Sequence, residues 1–218
     1  MDFDVRRKPI RILCLGAHCD DIEIGCGGAI LKLAPFAESI HWVAFSGTSE
    51  RKAEASASAS QFLQDAHEKR VVLHNFRDSF FPYEGGRIKE QFEALKQECT
   101  PDLIFTHYGK DLHQDHRLIS ELTWNTFRDH FILEYEIAKY DADLGSPNAF
   151  YPLERETCKK KISTVMSSFK SQAAKGWFTE DTFLALMRLR GIESNSPGGF
   201  AEGFYCRKVV LAVSNAEK

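Results

Sequence analysis

Short apolar runs alternate with stretches of helical pattern along the first half of the chain, and this alternation constrains the fold more than any other feature. Pro9–Gly16 is a nearly continuous apolar run ending at a glycine, the pattern of a strand buried on both faces of a parallel sheet. Ile40–Phe45, Val71–Phe76 and Asp102–His107 read as further strands. Between them, Ala29–Ala37, Glu50–Leu63 and Ile88–Cys99 carry helical patterns. Pro35 weakens the first, and alanine's helix propensity decides the second against a strand. Strands alternating with helices of about a dozen residues imply βαβ units, hence a mostly parallel sheet with helices on both faces.

Beyond residue 130 the pattern loosens. Ile132–Tyr140 reads as a strand and Asp141–Tyr151 as a loop long enough to act as a lid. Glu154–Phe169 and Thr179–Arg190 read as helices, Ser194–Gly199 as a turn-rich connector and Tyr205–Val213 as a closing strand. No repeat or linker divides the chain, so the expectation is a single Rossmann-like α/β domain over residues 1–218.

Composition narrows the function classes. Of the 218 residues 43% are hydrophobic, enough for one sizeable core. Acids and bases nearly balance at a net charge of −3, which leaves no basic footprint for nucleic acid. The longest apolar runs, such as Ile12–Leu15 and Val209–Val213, fall far short of the roughly 20 residues that span a bilayer. The N-terminus lacks an apolar stretch ahead of a small-residue cleavage site, so no secretory signal is read there. A soluble, cytoplasmic protein is expected. The six cysteines form no C-x-x-C pair and read as reduced thiols.

Ligands in doubly wound sheets bind beyond the carboxyl ends of the strands. Two such ends carry the chemistry here. After the first strand comes Ala17-His18-Cys19-Asp20-Asp21-Ile22-Glu23, and after the fourth comes the segment from His107 to Asp111, then His113-Gln114-Asp115-His116. Three carboxylates and a histidine in one loop repel each other unless a cation is present. Gly25-Cys26-Gly27-Gly28 lacks the G-x-G-x-x-G spacing of a dinucleotide site, and Asp20, Asp21 and Glu23 stand where a pyrophosphate would sit. Those glycines are read as letting the backbone approach the site before the helix starts. The residue types point to a divalent metal with mixed nitrogen and oxygen ligands: His18, one of the two aspartates, and a histidine of the second loop. Zinc suits that set best, and iron(II) shares it through the two-histidine, one-carboxylate triad.

With these motifs in view, the chain resembles the PIG-L/LmbE-like family of zinc-dependent de-N-acetylases. The family's A-H-P-D-D motif, followed by glutamate and glycines, matches Ala17-His18-Cys19-Asp20-Asp21 with Glu23 and Gly27-Gly28. Its H-P-D-H motif matches His113-Gln114-Asp115-His116. Looser matches are Arg51 with Glu54, Arg77-Asp78, Ser171-Gln172, and Ala201-Glu202 with Phe204. Cys19 and Gln114 both replace the usual proline, which would have stiffened each loop.

The resemblance implies a hydrolase that removes the N-acetyl group from an acetamido sugar, a small-molecule partner. It assigns His18, Asp21 and His116 to Zn2+, Asp20 as general base on the attacking water, and His113, as imidazolium, to the oxyanion. Asp115 would orient His113 or tune its charge, and Arg51 and Asp78 would contact the substrate. Two alternatives remain at this point: a catalytically silent sugar binder on the same fold, and a metal-dependent amidase acting on a non-sugar N-acyl amine. Relatives often form homo-oligomers, but no interface is legible in this sequence.

Overall fold

The computed structural model describes residues 9–210. One seven-stranded sheet organises them. Its strands are β1 (Ile10–Gly16), β2 (Ala37–Ala44), β3 (Glu68–Leu73), β4 (Leu103–His107), β5 (Phe131–Tyr135), β6 (Ala149–Leu153) and β7 (Phe200–Tyr205). The helices are α1 (Asp21–Leu33), α2 (Ser49–Phe62), α3 (Gly85–Glu98), α4 (Gln114–Thr126), α5 (Arg155–Ser168) and α6 (Glu180–Glu193). The spatial order is β3-β2-β1-β4-β5-β7-β6. The first five strands pair in parallel, and β7 runs antiparallel to both β5 and β6.

Side chains of β1 alternate between two cores, as a strand's period of two requires. Ile12 and Cys14 join the cluster that includes residues of α1, α2, α5 and α6, whereas Leu13 and Leu15 join residues of α3 and α4 on the other face. The order reverses between β1 and β4, so their carboxyl ends open a crevice between diverging connections. Both motif-bearing loops leave from those two ends. No helix among the described residues is long and apolar enough to cross a membrane.

Several elements differ from the sequence expectation, each for a physical reason. Helix α1 begins at Asp21, so the glycines lie inside it rather than in a turn before Ala29. They are packing positions: a Cβ at Gly25 would stand 2.1 Å from the Tyr135 ring, and one at Gly28 2.6 Å from Leu153. The helix breaks at Cys26 (φ −139°, ψ 15°). Glu202 of β7 mends the break by accepting the Gly28 and Ala29 amides, each at 2.7 Å. Buried Lys161 of α5 donates to the Ile24 carbonyl (2.6 Å) and to Glu202 (2.7 Å).

Strand β3 starts three residues before the expected run because its charged Glu68-Lys69-Arg70 lies exposed on the sheet's edge, where charge is tolerated. Strand β5 stops at Tyr135, and β6, with Pro152 in it, forms the opposite edge, starting within the last three residues of the segment read as loop. The closing strand is Phe200–Tyr205, not Tyr205–Val213; residues 206–210 are not strand, and 211–213 lie outside the described residues. Helix α4 went unread because its first turn is the histidine motif itself. All six cysteines are free thiols.

Candidate metal centre

His18 follows β1, Asp21 is the first residue of α1, and His116 lies in the first turn of α4, all three buried. The helix starts turn these side chains toward one point at the crevice. His18 Nδ1 stands 3.1 Å from His116 Nε2 and 3.3 Å from Asp21 Oδ2, and His116 Nε2 stands 3.5 Å from Asp21 Oδ1. Three donors that hold an ion at ~2.0–2.2 Å in tetrahedral geometry must lie roughly 3.3–3.6 Å apart. The observed separations, 3.1–3.5 Å, lie close to that range, with Asp21 facing His18 through Oδ2 and His116 through Oδ1. Three overlapping groups have ligand atoms within 4.8 Å of one another: His18, His113 and His116; Asp21, His107 and His116; and His18, Asp78 and Asp115.

Each donor is held by a partner on its far side. Asp115 Oδ2 lies 3.2 Å from His18 Nε2, and Asp111 Oδ2 lies 2.9 Å from His116 Nδ1. A carboxylate behind each imidazole fixes which nitrogen carries the proton and which faces inward. Asp21 Oδ2 accepts the His18 amide at 2.6 Å and lies 3.1 Å from His107 Nε2. Burial alone would raise the Asp21 carboxyl, but the imidazoles of His116, His107 and His18 hold it well below the usual carboxylate range. Burial and the neighbouring His107 push His116 down to about 3, which keeps it neutral and able to coordinate. For His18, burial works downward and is outweighed by Asp21, Asp115 and Asp78, which hold it well above its ordinary value.

The match to known proteins can be set on this geometry. A family model described as PIG-L, GlcNAc-PI de-N-acetylase, matches residues 13–127, just over half of the chain and both motif loops. The chain belongs to the PIG-L family. Solved structures share its fold at low identity. N,N'-diacetylchitobiose deacetylase from Pyrococcus horikoshii is 21% identical, with a TM-score of 0.72 over 94% of this chain and 87% of that one. A conserved protein from Thermus thermophilus is 18% identical (TM-score 0.70; 96% and 100% covered). The 4-carboxy-2-hydroxymuconate hydratase from Pseudomonas putida is 16% identical (TM-score 0.73; 95% and 100% covered).

Within this PIG-L chain, Asp115 acts on His113 through its charge, which raises the His113 pKa against burial and His18. Its carboxylate accepts the Ser79 amide (2.7 Å) and the Phe81 amide (3.1 Å) and faces His18. The amide of Asp115 donates to His113 Nδ1 at 3.2 Å, because His113 is the N-cap of α4. That bond leaves the proton on Nε2. Burial and the nearby His18 lower the pKa of His113, against the upward pull of Asp115, Asp21 and Asp111.

Arg51, in the first turn of α2, reaches Asp20 Oδ1 at 2.6 Å and Asp78 Oδ2 at 3.7 Å. Its sequence neighbour Glu54 turns to Ser171 instead, accepting from its amide (2.9 Å) and hydroxyl (2.6 Å). Asp78 Oδ1 lies 3.3 Å from His18 Nε2, and that contact holds its carboxyl well below the ordinary range. The backbone reaches this arrangement through Ser79 at φ 66°, a left-handed conformation that costs a side-chain-bearing residue free energy. Phe81 is buried close to the His18 ring, whereas Tyr83 is 81% exposed and Phe80 lies under the Arg77 guanidinium.

The two departures from proline are both occupied. Cys19 is buried, its thiol pushed up to about 12 by burial, and it donates to the Ser46 carbonyl at 3.1 Å rather than competing for a metal. Gln114 donates its amide to the Ser79 carbonyl, tying the second motif to the turn after β3. His107 and Asp111 went unassigned in the sequence. The available signal was their place, at the end of β4 and two residues before His113.

Proposed function

We propose that this chain is a divalent-metal-dependent hydrolase that removes the N-acetyl group of an acetamido sugar, producing acetate and a free amine. The observation that carries the reading is the convergence of His18 Nδ1, His116 Nε2 and Asp21 at coordinating distances, on the loop that also holds Asp20. Two imidazoles and one carboxylate suit zinc and leave a position open for water. Membership of the PIG-L family supports amide hydrolysis. The fold alone would not, since a hydratase shares it.

A divalent ion held by His18, Asp21 and His116 would polarise the acetyl carbonyl and lower the pKa of a water in the site. Asp20 accepts the proton of the attacking water. Burial raises its pKa against the pull of Arg51, and a base poised closer to the working pH is the better acceptor. Arg51 holds the carboxylate in place through its 2.6 Å contact. The neutral Nε2–H of His113 donates to the carbonyl oxygen as negative charge develops there. The carbon–nitrogen bond then breaks, and Asp20 returns its proton to the leaving amine. Arg51 and Asp78, with the exposed Tyr83, face the sugar and what it is attached to.

The test is acetate release from N-acetylglucosamine and a panel of its conjugates, with simple N-acyl amines as comparison, using zinc-loaded protein. The Asp20→Asn variant should keep one zinc per chain and lose about 10²–10⁴-fold in kcat. Turnover of N-acyl amines alone would move the substrate class away from sugars. Full activity in the variant would remove Asp20 from the role of base.

A further inference from the structure

Besides Arg51, a second buried cation from outside both motifs stands behind the centre. Lys139 lies in the segment between β5 and β6, its side chain 8% exposed. Its Nζ stands 3.0 Å from Asp111 Oδ2, 2.5 Å from Asp143 Oδ2 and 3.7 Å from Asp141 Oδ2. Asp111 Oδ2 is the same oxygen that faces His116 Nδ1, and Asp111 Oδ1 accepts the His113 amide at 2.7 Å. Asp143 Oδ2 in turn accepts the Leu112 amide at 2.7 Å.

We propose that Lys139 is a positioning residue of the metal centre, acting on His116 through the carboxylate of Asp111. The inference rests on the reading of His18, Asp21 and His116 as the metal's ligands. The argument is one of charge and of geometry. Asp111 is almost fully buried, and with only the His116 ring and the His113 amide against it the carboxylate would be undercompensated. Without a further partner it would swing toward water, and that movement would release the His116 ring. The ammonium of Lys139 supplies the missing charge at the shared oxygen. Asp111 thereby stays in place 2.9 Å behind Nδ1, and Nε2 stays aimed at His18 and Asp21. Through Asp143 and Leu112, the same lysine also latches the segment after β5 onto the loop that carries the second motif.

This arrangement makes a prediction that does not depend on turnover. Zinc affinity is measured by competition with a chromophoric chelator for wild type, Lys139→Met, Lys139→Gln and Lys139→Arg, with thermal melting of each apoprotein to verify folding. Loss of a partner behind a metal-bound histidine typically costs about 10–100-fold in affinity. Lys139→Met should fall in that range, and Lys139→Arg should recover most of the loss. The cobalt(II) absorption bands of Lys139→Met should shift, because the His116 ring is no longer held, and those of Lys139→Arg should stay close to wild type. If Lys139→Met fails to fold, Lys139→Gln, which retains a donor and removes only the charge, decides in the same way. A neutral variant that folds and binds zinc as tightly as wild type overturns the role of Lys139 alone. A wild-type protein that binds no zinc overturns both this role and the metal centre on which it rests.

Discussion

Around His18 three carboxylates compete with burial, and the carboxylates win. Asp21, Asp115 and Asp78 each come within 3.3 Å of a ring nitrogen. Coordination requires a neutral imidazole, so an entering metal must displace the proton those carboxylates stabilise. His116 and Asp21 are already deprotonated at neutral pH, given the downward direction of both. Zinc affinity should therefore rise with pH through the neutral range, and close to one proton should leave per ion bound near pH 7. Calorimetry in buffers of differing ionisation enthalpy reads that number directly; binding without proton release would contradict the charge assigned to His18. The raised pKa also has a sign for stability. Its contribution in the metal-free protein is full below about pH 6.5, the ordinary histidine value, and fades as pH climbs through the higher folded value. The motif spacing disclosed which residues gather here but not who faces whom. The resemblance tied Asp115 to His113; the start of α4 points the Asp115 carboxylate at the amides of residues 79 and 81 and at His18, a partner no motif spacing names.

Helix α1 shows how an element can be legible in its type and hidden in its detail. Its apolar residues and the preceding strand were readable, but the break at Cys26 was not, since the group that repairs it lies 174 residues further along the chain. Glu202 stands in a six-residue strand, FAEGFY, whose glutamate and glycine argue against a buried strand, yet all six residues are buried. The glutamate is inside because two amide donors and an ammonium need it there. Glu202→Ala would strand the Lys161 charge and two N–H groups in the core, and breaking such a pair typically costs about 3–5 kcal/mol. Urea denaturation should show a loss of that size, and the double variant with Lys161→Met should be less destabilised than the single one. A cost below about 1 kcal/mol would mean that the break closes without Glu202. The segment read as a lid is likewise tied to distant partners: the Gly145 carbonyl accepts from Arg190 at 3.0 Å, its amide donates to the Tyr205 hydroxyl at 3.1 Å, and Asp143 accepts from Lys139 and from the Leu112 amide.

For the molecule as a whole, the two motif loops belong to different βαβ units and meet only because the sheet reverses its order between β1 and β4. The metal's donors thus come from both sides of the reversal, and binding should tighten the entire fold rather than one loop. A ligand present at 100 times its dissociation constant stabilises the native state by about 2.7 kcal/mol. Thermal melting should accordingly rise with zinc and fall back with a chelator, in one cooperative transition; an unchanged Tm in saturating zinc would mean that the donors are not preassembled. The inner strands of the parallel half, β1 and β4, were legible because they are buried and apolar. The antiparallel end was not, because β6 and β7 take their places from pairing rather than pattern. The borders of the sheet carry a last consequence. One rim presents Glu68, Lys69 and Arg70, and the other contains Pro152, which has no N–H to offer. Charge on one rim and the missing N–H on the other both disfavour the addition of a further strand, so the sheet's two borders carry their own guard against edge-to-edge pairing.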